Sequence, residues 1–165
     1  MIRIVIGCAF SLNVAIATAQ SPGSFPINVG TARGNVEGSF TSLTAEGDSL
    51  DVTYALGGAW LFATDRIEVG VALNWIQAKG DSATFLSIGP NYYFSHPNAR
   101  TPAFAGLRYL HATHGFDLDG IAGVVGAHVF VGDSVSLSPT VSIGRLGGDN
   151  FVQVCFGLSY WFQTR

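Results

Sequence analysis

Four histidines carry most of the candidate chemistry in this chain, because an imidazole titrating near neutrality can act as general base, metal ligand or proton relay. A base needs a nucleophile beside it, and on an extended strand that means a serine two positions away, on the same face. His111-Ala112-Thr113 offers a threonine there, while His96, His114 and His128 are followed two positions later by Asn98, Phe116 and Phe130. The chain has no His-x-Ser pair, so no catalytic residue is assigned. His114, Asp117 and Asp119 would offer three donors to a metal, but three close polar residues are what any solvated turn contains, and no metal site is assigned. Neither a phosphate-cradling glycine loop nor a dinucleotide fingerprint occurs, so no cofactor is expected. His96 reads as a turn residue, His111 and His114 as rim residues, and His128 as an interfacial ring.

Composition narrows the setting. Only 12% of the 165 residues are charged and 48% are hydrophobic, where an ordinary soluble domain carries roughly 25% charged residues. The mean hydropathy of +0.36 argues against disorder. Eight Lys and Arg stand against eleven Asp and Glu without a basic stripe, which excludes a nucleic-acid partner. Residues 1–19 read as an export signal, with Arg3, an apolar stretch Ile4 to Ile16 and a small-x-small site at Ala17-Thr18-Ala19. A lipoprotein reading of Val5-Ile6-Gly7-Cys8 fails because too few apolar residues precede Cys8. Cys155 is then alone in the exported chain, which removes disulfides and cysteine-based zinc sites.

The elements that must position these side chains are strands. Ser134 to Ile143 alternates Ser/Thr with aliphatic residues, and Ile67 to Trp75 places large apolar residues on odd positions only. Turn signals at Glu46-Gly47-Asp48, Thr64-Asp65-Arg66, Lys79-Gly80-Asp81, His96-Pro97-Asn98, Phe116 to Asp119, Gly132-Asp133 and Gly147 to Asn150 cut the chain into eight strands. They are placed near 28–43, 49–63, 66–78, 83–95, 102–115, 120–131, 134–146 and 151–163, after a short lead-in at 20–26. Pro90 and Pro139 fall inside strands and are expected at bulges, because proline cannot donate to the ladder.

Eight antiparallel strands in up-and-down order close into a barrel, and the sequence says which face is outside. Opposite the large apolar residues lie Gly, Ala, Ser, Thr and Asn, with too few charges left to solvate a barrel exterior. The bulky face must therefore meet lipid, as in a transmembrane β-barrel occupying residues 27–165. Arg33, Glu37, Asp51, Glu68 and Arg108, with Asn35, Asn74, Asn91 and Gln153, are expected inside as a paired polar network that plugs the lumen, the alternative being a slow, gated ion pathway. The even-numbered strands end in a ring residue, one intervening residue, then Phe. These pairs, Trp60/Phe62, Tyr92/Phe94, His128/Phe130 and Tyr160/Phe162, are expected at one level as a lipid-facing aromatic belt. Trp75, Tyr54 and Phe40 are candidates for the opposite belt. An even strand number puts both termini on the periplasmic side and an acidic rim of Glu46, Asp48, Asp81, Asp117, Asp119 and Asp149 outside.

At 40–162 the residues resemble a known family. Tyr54 to Phe62 through Ile67 to Val71, Ile88 to Phe94 through Pro102 to Gly106, and Gly126 to Phe130 are similar to the small bacterial outer-membrane β-barrel domain family, which often carries a strand proline where Pro90 stands. Gly157 to Phe162 resembles the C-terminal signal read by the barrel insertion machinery. The chain departs from the pattern in Gln163-Thr164-Arg165 and in Cys155, where a polar residue is usual. The resemblance implies the architecture and says little of activity; the short, polar, acidic loops and the missing catalytic motifs point to a monomeric outer-membrane protein with a structural or surface-interaction role and no catalysis. The alternatives are a lipid A deacylase-like barrel enzyme, whose His-x-Ser pair is absent here, and a soluble secreted calycin-like binder.

Overall fold

A computed structural model describes residues 29–45, 48–78, 81–95, 99, 101–114 and 119–163, without the side chains at 37, 39–54, 78, 81, 113–114, 149 and 163. The export signal, the lead-in, Cys8, His96 and Asp117 lie outside the described residues. The strands are β1 (Thr31–Ala45), β2 (Asp48–Phe62), β3 (Ile67–Ala78), β4 (Asp81–Tyr93), β5 (Ala103–His114), β6 (Asp119–Ala127), β7 (Val129–Phe130), β8 (Val135–Leu146) and β9 (Asp149–Gln163). No helix occurs among the described residues. Segments β6 and β7 are one wall strand interrupted at His128, since both pair with β8 in the same register. Every strand is antiparallel to its neighbours, and β9 returns to β1 through pairs running from Thr31↔Gln163 to Gly38↔Phe156. The wall is a closed barrel of eight strands.

Register sets the shape. Stepping from Tyr160 through Gly34, Ala59, Val71, Ile88, Tyr109, Ile121 and Arg145 returns to β9 at Asn150, 160 − 150 = 10 residues away. A stagger of ten over eight strands, at about 3.3 Å per residue and about 4.8 Å between strands, tilts them by roughly 40°. The period-two pattern then separates two surfaces. Along β3, Ile67, Val69, Val71, Leu73 and Trp75 point out and are exposed, whereas Glu68, Ala72 and Asn74 point in and are buried. Exposed Leu86, Ile88, Leu107, Ile121, Val125 and Ile143 continue the apolar exterior. On β9 the exposed row runs from Val152 to Phe162, which at this tilt covers about 25 Å along the barrel axis, the height of a transmembrane apolar band.

The two strand prolines interrupt the wall without slipping it, which corrects the bulges expected there. The β4–β5 ladder passes from Ile88↔Tyr109 to Asn91↔Gly106 in constant register, skipping Pro90, and the register shift in this pair falls instead between Thr84 and Phe85. Arg108 Nη1 occupies the gap, donating to Pro90 O (3.1 Å) and Leu107 O (2.8 Å). Opposite Pro139, β6 and β7 lose two ladder positions, and the His128 N–H turns to Pro102 O on the other side (3.0 Å). Beside the first gap, a Cβ on Gly89 would fall well inside contact distance of the Leu107 carbonyl, so the strands approach only because residue 89 has no side chain. A Cβ on outward-facing Gly57 would meet nothing within 4 Å. Urea unfolding from lipid vesicles should therefore show Gly89→Ala destabilised by about 3 kcal/mol or more, with Gly57→Ala within about 0.5 kcal/mol of the parent chain.

Candidate functional site

The interior is built around one carboxylate. Glu68 on β3 and Arg33 on β1 both point inward, separated in the wall by β2. Between them stands Trp60, whose ring lies where a side chain on Gly70 would be, so this glycine makes room for the indole. Arg33 reaches past it and grips Glu68 with two bonds, Nε to Oε1 at 2.9 Å and Nη2 to Oε2 at 2.8 Å. Both side chains are removed from solvent. A buried carboxylate must have its remaining lone pairs satisfied. Asn91 Nδ2 donates to Oε2 at 2.8 Å and Tyr93 Oη at 3.2 Å.

From Tyr93 the network continues across the lumen. Tyr93 Oη lies 3.1 Å from His128 Nε2, and His128 Nδ1 lies 2.8 Å from Ser138 Oγ. Ser138 Oγ is 2.9 Å from Ser159 Oγ, which accepts from Arg33 Nη1 at 3.1 Å. The chain of bonds closes on itself, through side chains from β1, β3, β4, the His128 junction, β8 and β9. Trp60 is flanked by two guanidinium groups, Arg108 at 4.3 Å and Arg33 at 5.2 Å from its ring, and donates Nε1 to Asn35 Oδ1 at 2.8 Å. Arg108 also donates to Asn91 Oδ1 at 2.5 Å, tying the second guanidinium to the same cluster. Toward the end where β1 starts and β9 finishes, Phe62, Tyr93, Phe104, Val124 and Trp161 pack into a buried cluster with Phe130 against it. His128 stacks on Phe104 at 5.1 Å and meets the Trp161 edge at 4.9 Å. Rings and hydrogen-bond network together fill this half of the lumen. Among the described residues every buried side-chain nitrogen and oxygen has a partner.

Of the expected lumen residues, Arg33, Glu68, Asn35, Asn74 and Asn91 are buried inside, Arg108 and Gln153 point inward and are half-buried, and the side chains of Glu37 and Asp51 lie outside the described residues. Asn74 serves a smaller group, donating to Ser87 Oγ at 3.0 Å. The belt divides. Tyr92, Phe94, Tyr160 and Phe162 are exposed on the outer face, but Trp60, Phe62, His128 and Phe130 turn inward. The cause is hairpin register. Facing residues on β2 and β3 share parity, as Phe62↔Glu68 shows, whereas β3 and β4 pair odd with even, as in Ile67↔Tyr92. The motif repeats, but every second copy lands on the opposite face. Sequence reasoning missed Tyr93, Ser136, Ser138, Ser159 and Trp161. Serine alternation signalled Ser136 and Ser138, while the two rings hid beside the neighbouring ring-x-Phe pairs.

A second constellation stands outside, past the last apolar residues of β5 and β6. His111 Nδ1 and Tyr109 Oη each lie 2.8 Å from Asp119 Oδ1, and His111 and Asp119 are about half exposed. This orients an imidazole at the outer edge of the apolar surface. His114 and Thr113 lie outside the described side chains, and among the described residues no group of three or more His, Cys, Asp or Glu side chains is placed to hold a metal.

Comparison with solved structures accounts for the combination of apolar exterior and polar interior. A barrel from the de novo design of transmembrane β-barrels is 16% identical with a TM-score of 0.60, covering 82% of this chain and 98% of its own. The N-terminal β-barrel domain of Pseudomonas aeruginosa OprF is 10% identical with a TM-score of 0.60, covering 82% and 100%. The outer membrane protein OprG from the same organism is 14% identical with a TM-score of 0.51, covering 88% and 100%. The chain has the fold of a small transmembrane β-barrel. No protein-family model matches it, and no curated protein does. In such a barrel the exposed aliphatic rows meet lipid and the Arg33–Glu68 cluster lies buried inside the lumen. Breaking the pair leaves a buried charge uncompensated, so Glu68→Ala should lower unfolding free energy in lipid vesicles by about 3–5 kcal/mol. The double variant Arg33→Met/Glu68→Leu should lose less than this single change, and a larger loss would mean that the two charges are not coupled.

Proposed function

We propose that the chain is an exported, monomeric, integral outer-membrane barrel that serves the envelope structurally or by surface interaction through its outer turns, without catalysis. The observation that carries this reading is the placement of polarity: the exterior is an aliphatic band, and among the described residues one half of the lumen is crossed, from six wall strands, by a satisfied network and an aromatic cluster. A lumen blocked at this level holds no standing aqueous channel, so what such a barrel offers a partner at rest is its rim. The export signal read at 1–19, the C-terminal strand pattern suited to the insertion machinery, and the structural likeness to OprF and OprG support the same compartment. The partners on this reading are the lipid bilayer and the insertion machinery, not nucleic acid.

A second reading has one observation behind it. The His111–Asp119 pair is an oriented base at the lipid-facing edge of the outer rim, where a lipid-directed hydrolase would need one, and Thr113 follows two residues on. Mass spectrometry of lipid A from cells with and without the protein decides it, an unchanged acyl pattern rejecting the enzyme.

For the first reading, the protein should fractionate with the outer membrane and migrate faster on gels unboiled than boiled. Co-migration of the two samples, together with solubility without detergent, would sink it. The lipid-facing surface has its own test: Leu73→Arg, in the middle of the exposed β3 row, should cost about 2–4 kcal/mol in vesicle unfolding.

A further inference from the structure

The hydrogen bonds that cross the lumen run in one direction, and the direction follows from the carboxylate. Glu68 only accepts, so the Tyr93 hydroxyl, 3.2 Å from Oε2, spends its single hydrogen there. His128 Nε2, 3.1 Å from the same hydroxyl oxygen, must then carry a hydrogen and donate. In the neutral ring this leaves Nδ1 as an acceptor, and the group 2.8 Å from it, Ser138 Oγ, donates. Ser138 therefore accepts from Ser159, and Ser159 accepts from Arg33, which can only donate. Taken in these directions the ring closes with His128 neutral and its proton on Nε2, while Ser136 Oγ, 3.4 Å from Nδ1, accepts from Trp161 Nε1.

A second proton on His128 does not fit these directions. Nδ1 would become a donor facing the Ser138 hydroxyl, and Ser138 would have to turn its hydrogen toward Ser159. Ser159 would then need another acceptor, but its other partner in the ring is the Arg33 guanidinium. The groups facing the imidazole are Tyr93 from β4, Phe104 from β5, Ser136 and Ser138 from β8, and Trp161 from β9. Among the described residues the charges nearest along the ring are Glu68, reached through Tyr93, and Arg33, reached through Ser138 and Ser159. A cationic ring thus breaks the circuit at Ser138 and adds a third positive charge to an enclosure that already holds Arg33 and Arg108. Opposite Pro139 the wall lacks two bridges, and the His128 backbone is held from the other side by its N–H to Pro102 O.

We propose that His128 is a proton-operated latch on the lumen: neutral, it completes the ring and keeps the barrel plugged; protonated, it opens the ring at Ser138 and admits small inorganic ions past Arg33 and Glu68. The latch rests on the barrel standing in a bilayer, not on the role assigned to the outer turns. Purified full-length protein in planar phosphatidylcholine bilayers with potassium chloride should show rare single-channel steps at pH 8 and an open probability at least tenfold higher at pH 4. His128→Gln, which cannot take the proton, should lose that rise while keeping the heat-shifted folded band on gels. A wild-type open probability independent of pH overturns the latch, as does an acid response that survives in a folded His128→Gln. If that variant does not fold, the ring-nitrogen chemical shifts of His128 in the wild-type protein at pH 7 decide. Protonated Nε2 with bare Nδ1 supports the latch, and the opposite tautomer or a cationic ring refutes it.

Discussion

The two-pronged bond between Arg33 and Glu68 is the constraint around which the rest of the interior is arranged. Two charges taken out of water need a close partner and a full set of hydrogen bonds, or they destabilise the fold that buries them. Here the requirement recruits residues strand by strand. Gly70 clears space for Trp60, Trp60 offers its face to both arginines, Asn91 and Tyr93 complete the carboxylate, and Ser159 takes a hydrogen from Arg33 Nη1. The aromatic cluster then seals the end of the lumen where β1 starts and β9 finishes, so the polar centre is isolated by packing on one side and by the wall around it.

Much of the wall was legible because one physical rule, alternation every two residues, governs both the sequence and the surface. Ile67 to Trp75 reads as a strand with one lipid face whatever its neighbours are. The inward residues Arg33, Glu68, Arg108 and Asn91 were legible for the same reason, since a charge or amide on the small-residue face has nowhere to go but the lumen. What escaped was anything set between strands. Arg33 and Glu68 pair across an intervening strand, and nothing near either residue in the chain announces it. The ring-x-Phe pairs were seen correctly as repeats and wrongly as one belt, because hairpin register decides which face a strand presents. A motif inside a single strand carries no record of that register.

The prolines show how the wall tolerates local violations. A closed barrel has no free edge on which to place a residue without an N–H, yet both ladders keep their register across the proline. At Pro90 the guanidinium of Arg108 supplies donors where the backbone cannot, and at Pro139 the interruption becomes the junction that turns the His128 ring inward. In each case the broken rule coincides with an interior group that the network uses.

The bond between Arg33 and Ser159 joins residues 126 positions apart in the chain. Contacts of that separation form only after the intervening loop has been closed, and closing it is slow. The network therefore cannot mature strand by strand during insertion; it assembles when the first and last strands meet. Until then the Arg33–Glu68 pair, made within β1 to β3, lacks its Ser159 bond and sits beside an open sheet edge, an arrangement that hydrocarbon does not accept. The interior thereby acts as a checkpoint on its own wall, since only a barrel closed in the correct register brings the two ends of the circuit within reach.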